Sequence, residues 1–185
     1  MHRMELHDKI GYLAVCVALE EKGYAVERTG MERYSDETID KLSQNSDSTS
    51  TFLRWHPDIA AIGNGKSHLC EVKTVDVTRR DTGNWAIEAD SYKAAKMFVI
   101  PVIYIFVDVV NGQAISIKWC QSDDITPSVI TIPDRFNFEQ KRDELKIYFS
   151  DGVRFEPRPH NGGSGTPYFL IPKRSDYIKG WNSFC

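Results

Sequence analysis

Residues 57 to 73, PDIAAIGNGKSHLCEVK, restrict the fold more than any other part of the chain. Two apolar runs flank Asn64-Gly65. Asn and Gly both tolerate positive φ, which a two-residue hairpin turn requires. With that turn, Gly63 pairs with Lys66 and the register of the whole hairpin follows. Asp58 then falls opposite Glu71, with Cβ atoms about 5 Å apart. His56 falls opposite Lys73 at the strand mouth. Side chains alternate along a strand, so Glu71 and Lys73 share one face.

That placement is costly without a compensating partner. Carboxylates directly opposite each other destabilise a sheet. The surrounding residues (Ile59, Ala60, Ala61, Ile62, Leu69, Cys70, Val72) are apolar, and charge in such a strand pair needs compensation. A bound cation removes the repulsion, and Mg²⁺ suits one or two carboxylates completed by water and phosphate oxygens. The competing reading is a Glu-x-Lys tripeptide on a solvated strand, a cross-face charge contact and nothing more.

The chain has 185 residues, 41% of them hydrophobic, enough for one domain spanning 1–185 with a sizeable core. We place that core at about 5–120 and a C-terminal extension at about 121–185. No apolar run approaches the ~20 residues that cross a bilayer. MHRMELHDK has no apolar signal core, so an intracellular, cytoplasmic protein is expected. Cys16, Cys70, Cys120 and Cys185 are scattered without zinc spacing and read as incidental thiols. The net charge of −3 excludes a globally basic nucleic-acid binder and leaves local patches as the relevant feature.

Helical spacing of Leu6, Ile10, Leu13 and Val17 predicts an amphipathic helix over 5–22 with Gly23 as its cap. A short strand follows at Tyr24. Residues 30–51 are polar and read as a surface loop carrying one short helix. Strands are expected over 52–62 and 66–75, then a helix over 85–98. Val102 to Val110 reads as a strand buried on both faces. Asn111-Gly112 marks a second hairpin leading into a strand over 114–120. A helix over 138–145, the strand KIYF and a final strand YFLIP complete the reading. This order predicts an α/β fold, a mixed β-sheet flanked by α-helices.

Pro57-Asp58 and Glu71-Val72-Lys73, on a hairpin between two helices, resemble the PD-(D/E)XK nuclease superfamily of restriction endonucleases, Holliday-junction resolvases and phage nucleases. The resemblance covers about residues 5 to 120. It implies a restriction-endonuclease-like fold, dependence on Mg²⁺ or Mn²⁺, and hydrolysis of phosphodiester bonds in DNA. Carried over by position, Asp58, Glu71 and Lys73 are the catalytic residues. Asp58, Glu71 and the Val72 carbonyl are the metal ligands, and the number of metals, one or two, stays open. Lys73 would position the attacking water and stabilise charge on the phosphorane. Many members carry an acid on the first helix where this chain has Tyr12; Asp8 lies one turn earlier and could substitute.

From the second helix, Glu88, Ser91, Tyr92 and Lys93 are candidates for the site. Glu88 reads as a solvated helix charge and Tyr92 as core. Lys93, with Lys96, reads as a weak nucleic-acid contact. HNGGSGTP could cradle a phosphate but lacks the Lys-Ser/Thr of a P-loop. Trp85, Trp119 and Trp181 could stack on bases or pack in the core.

The expected function is a metal-dependent DNA endonuclease of resolvase or restriction type, from a virus or mobile element, acting on DNA as a homodimer. The alternative is a non-catalytic nucleic-acid-binding or assembly protein on the same fold. A hydrolase of small phosphoesters is a third reading.

Overall fold

The computed structural model describes residues 6–45, 47–78, 83–125, 154–156 and 168–185. In chain order the elements are α1 (Leu6–Glu21), β1 (Ala25–Arg28), α2 (Asp36–Gln44), α3 (Ser48–Arg54), β2 (Ile59–Gly63), β3 (Lys66–Asp76), β4 (Asn84–Glu88), α4 (Ala89–Ala95), β5 (Val102–Val110), β6 (Gln113–Gln121), β7 (Arg154–Glu156), β8 (Tyr168–Pro172) and β9 (Lys179–Gly180). Helices and a mixed sheet together make an α/β fold. No helix among the described residues is long and apolar enough to cross a membrane.

The main sheet has six strands in the order β1-β2-β3-β5-β6-β9. Only β3 and β5 run parallel; the other neighbours are antiparallel. A second sheet of three strands runs β4-β8-β7. The β2–β3 hairpin has the register expected from its turn: Gly63 pairs with Lys66 and Ile59 with Cys70. Asn64 (φ 53°) and Gly65 (φ 72°) supply the left-handed turn residues. Asn111 (φ 49°) and Gly112 (φ 76°) do the same between β5 and β6.

Strand alternation sorts the interior into two cores. On one face, Ile59, Ala61, Cys70, Ile103, Ile105, Val107 and Val109 pack with Tyr12, Val15 and Leu19 of α1. On the other, Val102, Tyr104 and Phe106 pack with Trp85, Ile87, Tyr92, Phe169 and Ile171 from β4, α4 and β8. Strand β5 lies between them with Val102 to Val107 all buried, as its apolar sequence predicts.

Gly11 brings α1 onto β3, because a Cβ there would lie 2.1 Å from the Thr74 hydroxyl. Across the sheet, Trp85 stacks on Phe106 with ring centroids 5.0 Å apart. Lys173, after β8, lies 2.6 Å from Asp108 and 4.5 Å from the centre of the Trp85 ring. These contacts hold the small sheet against the large one.

Four expectations need correcting. The stripe read for α1 is not its packed face: Leu6, Leu13 and Val17 are exposed, and Tyr12, Val15 and Leu19 face the sheet instead. Residues 30–51 form more than a loop with one helix. Ser35 caps α2 by accepting from the Thr38 N–H at 3.3 Å, and Asp47 caps α3 by accepting from the Ser50 N–H at 2.9 Å. The strand expected from 52 therefore starts only at Ile59, after α3 has ended at Arg54. Finally, Trp85 to Phe98 is not one helix. Trp85 and Ile87 alternate with less buried neighbours in β4, and a short α4 follows. Pairing of β4 with β8, Trp85 opposite Ile171, overrides the local helical spacing.

The expected helix over 138–145, the strand KIYF and the HNGGSGTP loop lie outside the described residues. The strand YFLIP is present as β8.

Candidate active site

Pro57 explains how the hairpin ends. In a two-residue hairpin the pair next to the turn exchanges two hydrogen bonds, and such pairs then alternate along the ladder. Residues 57 and 72 fall at a bonded position, but proline has no N–H to give to the Val72 carbonyl. The ladder stops at Ile59 and Cys70. The Val72 N–H donates instead to Oδ2 of Asp58 at 2.8 Å. The Pro57 carbonyl accepts from the Thr29 hydroxyl at 2.7 Å. Proline at this position therefore cannot donate to the Val72 carbonyl, and an anchored carboxylate stands at the ladder's end.

Glu71 and Lys73 share the face that looks toward the small sheet. Lys73 Nζ lies 2.8 Å from Oε1 of Glu71, so the expected shared face is observed. The same nitrogen lies 2.7 Å from Oε2 of Glu88, the last residue of β4. Ser91 of α4 donates to Oε1 of Glu71 at 3.4 Å. Tyr104, paired with Glu71 across the parallel β3–β5 ladder, is fully buried under the cluster.

Burial pushes the Glu71 carboxyl up from the usual carboxylate range, the Lys73 ammonium pulls it down, and Glu88 adds to the upward push. Burial alone would lower Lys73, but Glu71, Glu88 and Asp58 outweigh it and hold the ammonium well above the ordinary lysine value. The Tyr104 hydroxyl is raised, first by burial and then by the charge on Glu71. The cluster is thus a shielded ammonium surrounded by three carboxylates.

The residues expected to bind a metal differ in what the structure gives them. Asp58, Glu71 and the Val72 carbonyl offer only oxygen, the choice of Mg²⁺, which keeps several waters of its own. The fit rests on the carbonyl that Pro57 leaves without a ladder donor and on a buried carboxylate that burial disfavours as an anion. No three His, Cys, Asp or Glu side chains among the described residues form a ready metal cluster.

Several sequence candidates lie elsewhere. His56 does not pair with Lys73, since the ladder ends before it. Its ring meets Phe52 of α3 at 5.7 Å and Phe98 at 5.5 Å, both edge-on, beside the entrance to β2. Asp8 sits in the first turn of α1, and α1 covers the Cys70–Val72–Thr74 face, opposite Glu71 and Lys73. Tyr12 is buried with the Arg28 guanidinium 4.8 Å from its ring centre. Burial and the neighbouring Cys16 push the Tyr12 hydroxyl up to about 12.

Lys93 pairs with Asp90 at 3.7 Å, and Lys96 with Asp123 at 2.6 Å. Tyr92 is buried, as expected of a core residue. Trp85 is fully buried and Trp119 nearly so, so neither ring offers a face to a base. Trp181 stacks on Phe184 at 4.7 Å.

Glu88 is the residue that sequence reasoning misplaced. Taken as a solvated helix charge, it instead closes β4 and grips Lys73. The alternation of Trp85 and Ile87 is the one sequence signal that could have moved it onto a strand end.

No protein-family model and no curated protein sequence matches the chain.

Proposed function

We propose that the chain is a metal-dependent endodeoxyribonuclease of the PD-(D/E)XK type with a restriction-endonuclease-like core, using Mg²⁺ or Mn²⁺. The observation that carries this reading is the end of the β2–β3 hairpin. There Pro57 stops the ladder, Asp58 is anchored by the Val72 N–H at 2.8 Å, and Glu71 and Lys73 emerge together on one face.

Each residue has a distinct task. Asp58 and Glu71 would hold the cation with the Val72 carbonyl. Bound there, the cation would polarise a phosphoryl oxygen and acidify its water. Lys73 supplies a compact positive charge that can meet a phosphate oxygen as negative charge builds there. The β4–α4 corner covers the cluster and restricts water around it, which strengthens every charge interaction inside. A homodimer would give two symmetric sites for the two strands of DNA.

One observation favours the second reading, a non-catalytic nucleic-acid-binding or assembly protein. Lys73 is already matched by Glu71 and Glu88.

Two measurements separate the readings. Titration with Mn²⁺ in a calorimeter should show binding to the wild type and a loss of at least about tenfold in Asp58→Ala, which removes a direct ligand. Incubation with linear, branched and single-stranded DNA and Mg²⁺ should give cleavage products. Binding to DNA with no product on any substrate would support the second reading.

A further inference from the structure

Among the described residues, Glu88 is the charged group at the site that the proposed metal chemistry does not use. It ends β4 and sits at the N-cap position of α4, without capping that helix through its side chain. Its carboxylate turns inward, 22% exposed, and Oε2 lies 2.7 Å from Lys73 Nζ. Glu71 reaches the same nitrogen from β3 at 2.8 Å. One ammonium thus has two anions, delivered by two different sheets. Burying extra charge is costly, and a single ion pair would satisfy the lysine.

The second anion makes sense if the first has another partner. On the nuclease reading, Glu71 must turn its oxygens to a divalent cation. Lys73 is only 17% exposed, and an ammonium that buried is not stable without a counter-charge. Asp58 is committed through one oxygen to the Val72 N–H. Among the described residues, the charged groups facing Lys73 are Glu71, Glu88 and Asp58; the neighbouring Tyr104 and Ser91 carry hydroxyls. Glu88 is therefore the anion left to hold the lysine.

We infer that Glu88 is the positioning residue for Lys73: it keeps the ammonium in the site when Glu71 turns to the cation. The inference rests on the nuclease reading for its purpose, but not for its geometry. Ser91, three residues further on, meets Glu71 at 3.4 Å, so the β4–α4 corner addresses both partners of the ion pair. The large sheet supplies the reacting groups and the small sheet fixes where they point.

The test uses the full chain and the variants Glu88→Gln and Glu88→Ala. In protein saturated with Mg²⁺, where Glu71 is engaged by the cation, nitrogen-15 NMR of lysine side chains should show a slowly exchanging ammonium, assigned by its absence in Lys73→Ala. That signal should weaken in Glu88→Gln, which keeps the shape and one acceptor oxygen, and vanish in Glu88→Ala. With Mg²⁺ and linear duplex DNA, kcat should fall about 10- to 100-fold in Glu88→Ala while KM stays near the wild-type value, and Glu88→Gln should fall between.

An unchanged ammonium signal in Glu88→Ala, or cleavage by that variant at the wild-type rate, overturns the inference. If the wild type makes no product but the ammonium signal still depends on Glu88, the hold on Lys73 stands and the nuclease reading fails. Should Glu88→Ala not fold, the isosteric Glu88→Gln decides by the same two readouts.

Discussion

Even-numbered and odd-numbered residues of β3 face different neighbours. Cys70, Val72 and Thr74 look toward α1 into a core of aliphatic side chains, where Gly11 lets the helix approach closely. Glu71 and Lys73 look toward β4 and α4 and carry buried charge. A single strand thus has one face built for cohesion and one that accepts unfavourable desolvation. A fold optimised only for stability would have no use for the second arrangement, and the contrast is typical of functional clefts.

Substitutions on the two faces should separate stability from activity. The largest effect on stability is expected from Ile59→Ala, which empties a fully buried position on the α1 face. It should cost about 2–5 kcal/mol in urea unfolding. Gly11→Ala comes next. Its Cβ would meet the β-branched Thr74 side chain at 2.1 Å, and the strain should cost about 1–3 kcal/mol. The double variant Gly11→Ala/Thr74→Ala should recover most of that loss; a purely additive cycle would contradict the close approach.

Glu71→Gln should behave in the opposite way. Burial already disfavours the Glu71 anion, and Glu88 can keep Lys73 paired. Stability should stay within about 1 kcal/mol of wild type, or rise, while DNA cleavage is lost. A loss as large as that of Ile59→Ala would erase the distinction between the faces.

The smallest effect concerns His68, on the cohesive face of β3 beside Tyr24 and Phe184. Burial, and then Lys66, lower its pKa below the ordinary 6.5. The folded protein therefore binds this proton less readily than the unfolded chain. The contribution of neutral His68 is complete above pH 6.5 and is lost as pH falls from there through the lowered folded value. His68→Gln should flatten this part of the stability–pH curve, as followed by thermal melts between pH 5 and pH 8.

The hairpin was legible because its information is local. Asn64-Gly65 specifies the turn, and the turn specifies the register from Gly63–Lys66 to Ile59–Cys70; Asp58 and Glu71 lie just beyond the last pair of that ladder. The apolar run of β5 was legible because a strand between two neighbours is buried on both faces. Glu88 was not legible, because its placement depends on β8, which begins at Tyr168, far along the chain. Five residues of β4 are too few to distinguish alternation from helical spacing. Helix α3 was obscured differently: its Ser/Thr-rich sequence has poor helix propensity, and the Asp47 cap supplies what the interior lacks.

The most direct test of the nuclease account is cleavage of a mixed panel of linear and branched DNA in Mg²⁺ by the wild type and by Lys73→Ala at matched folding. Loss of a charge aimed at the transition state should lower the rate by about 10²–10³-fold or more. Product is expected from the wild type and little or none from Lys73→Ala, with unfolding and DNA binding preserved. Equal cleavage by both, or product from neither on any substrate, would contradict it.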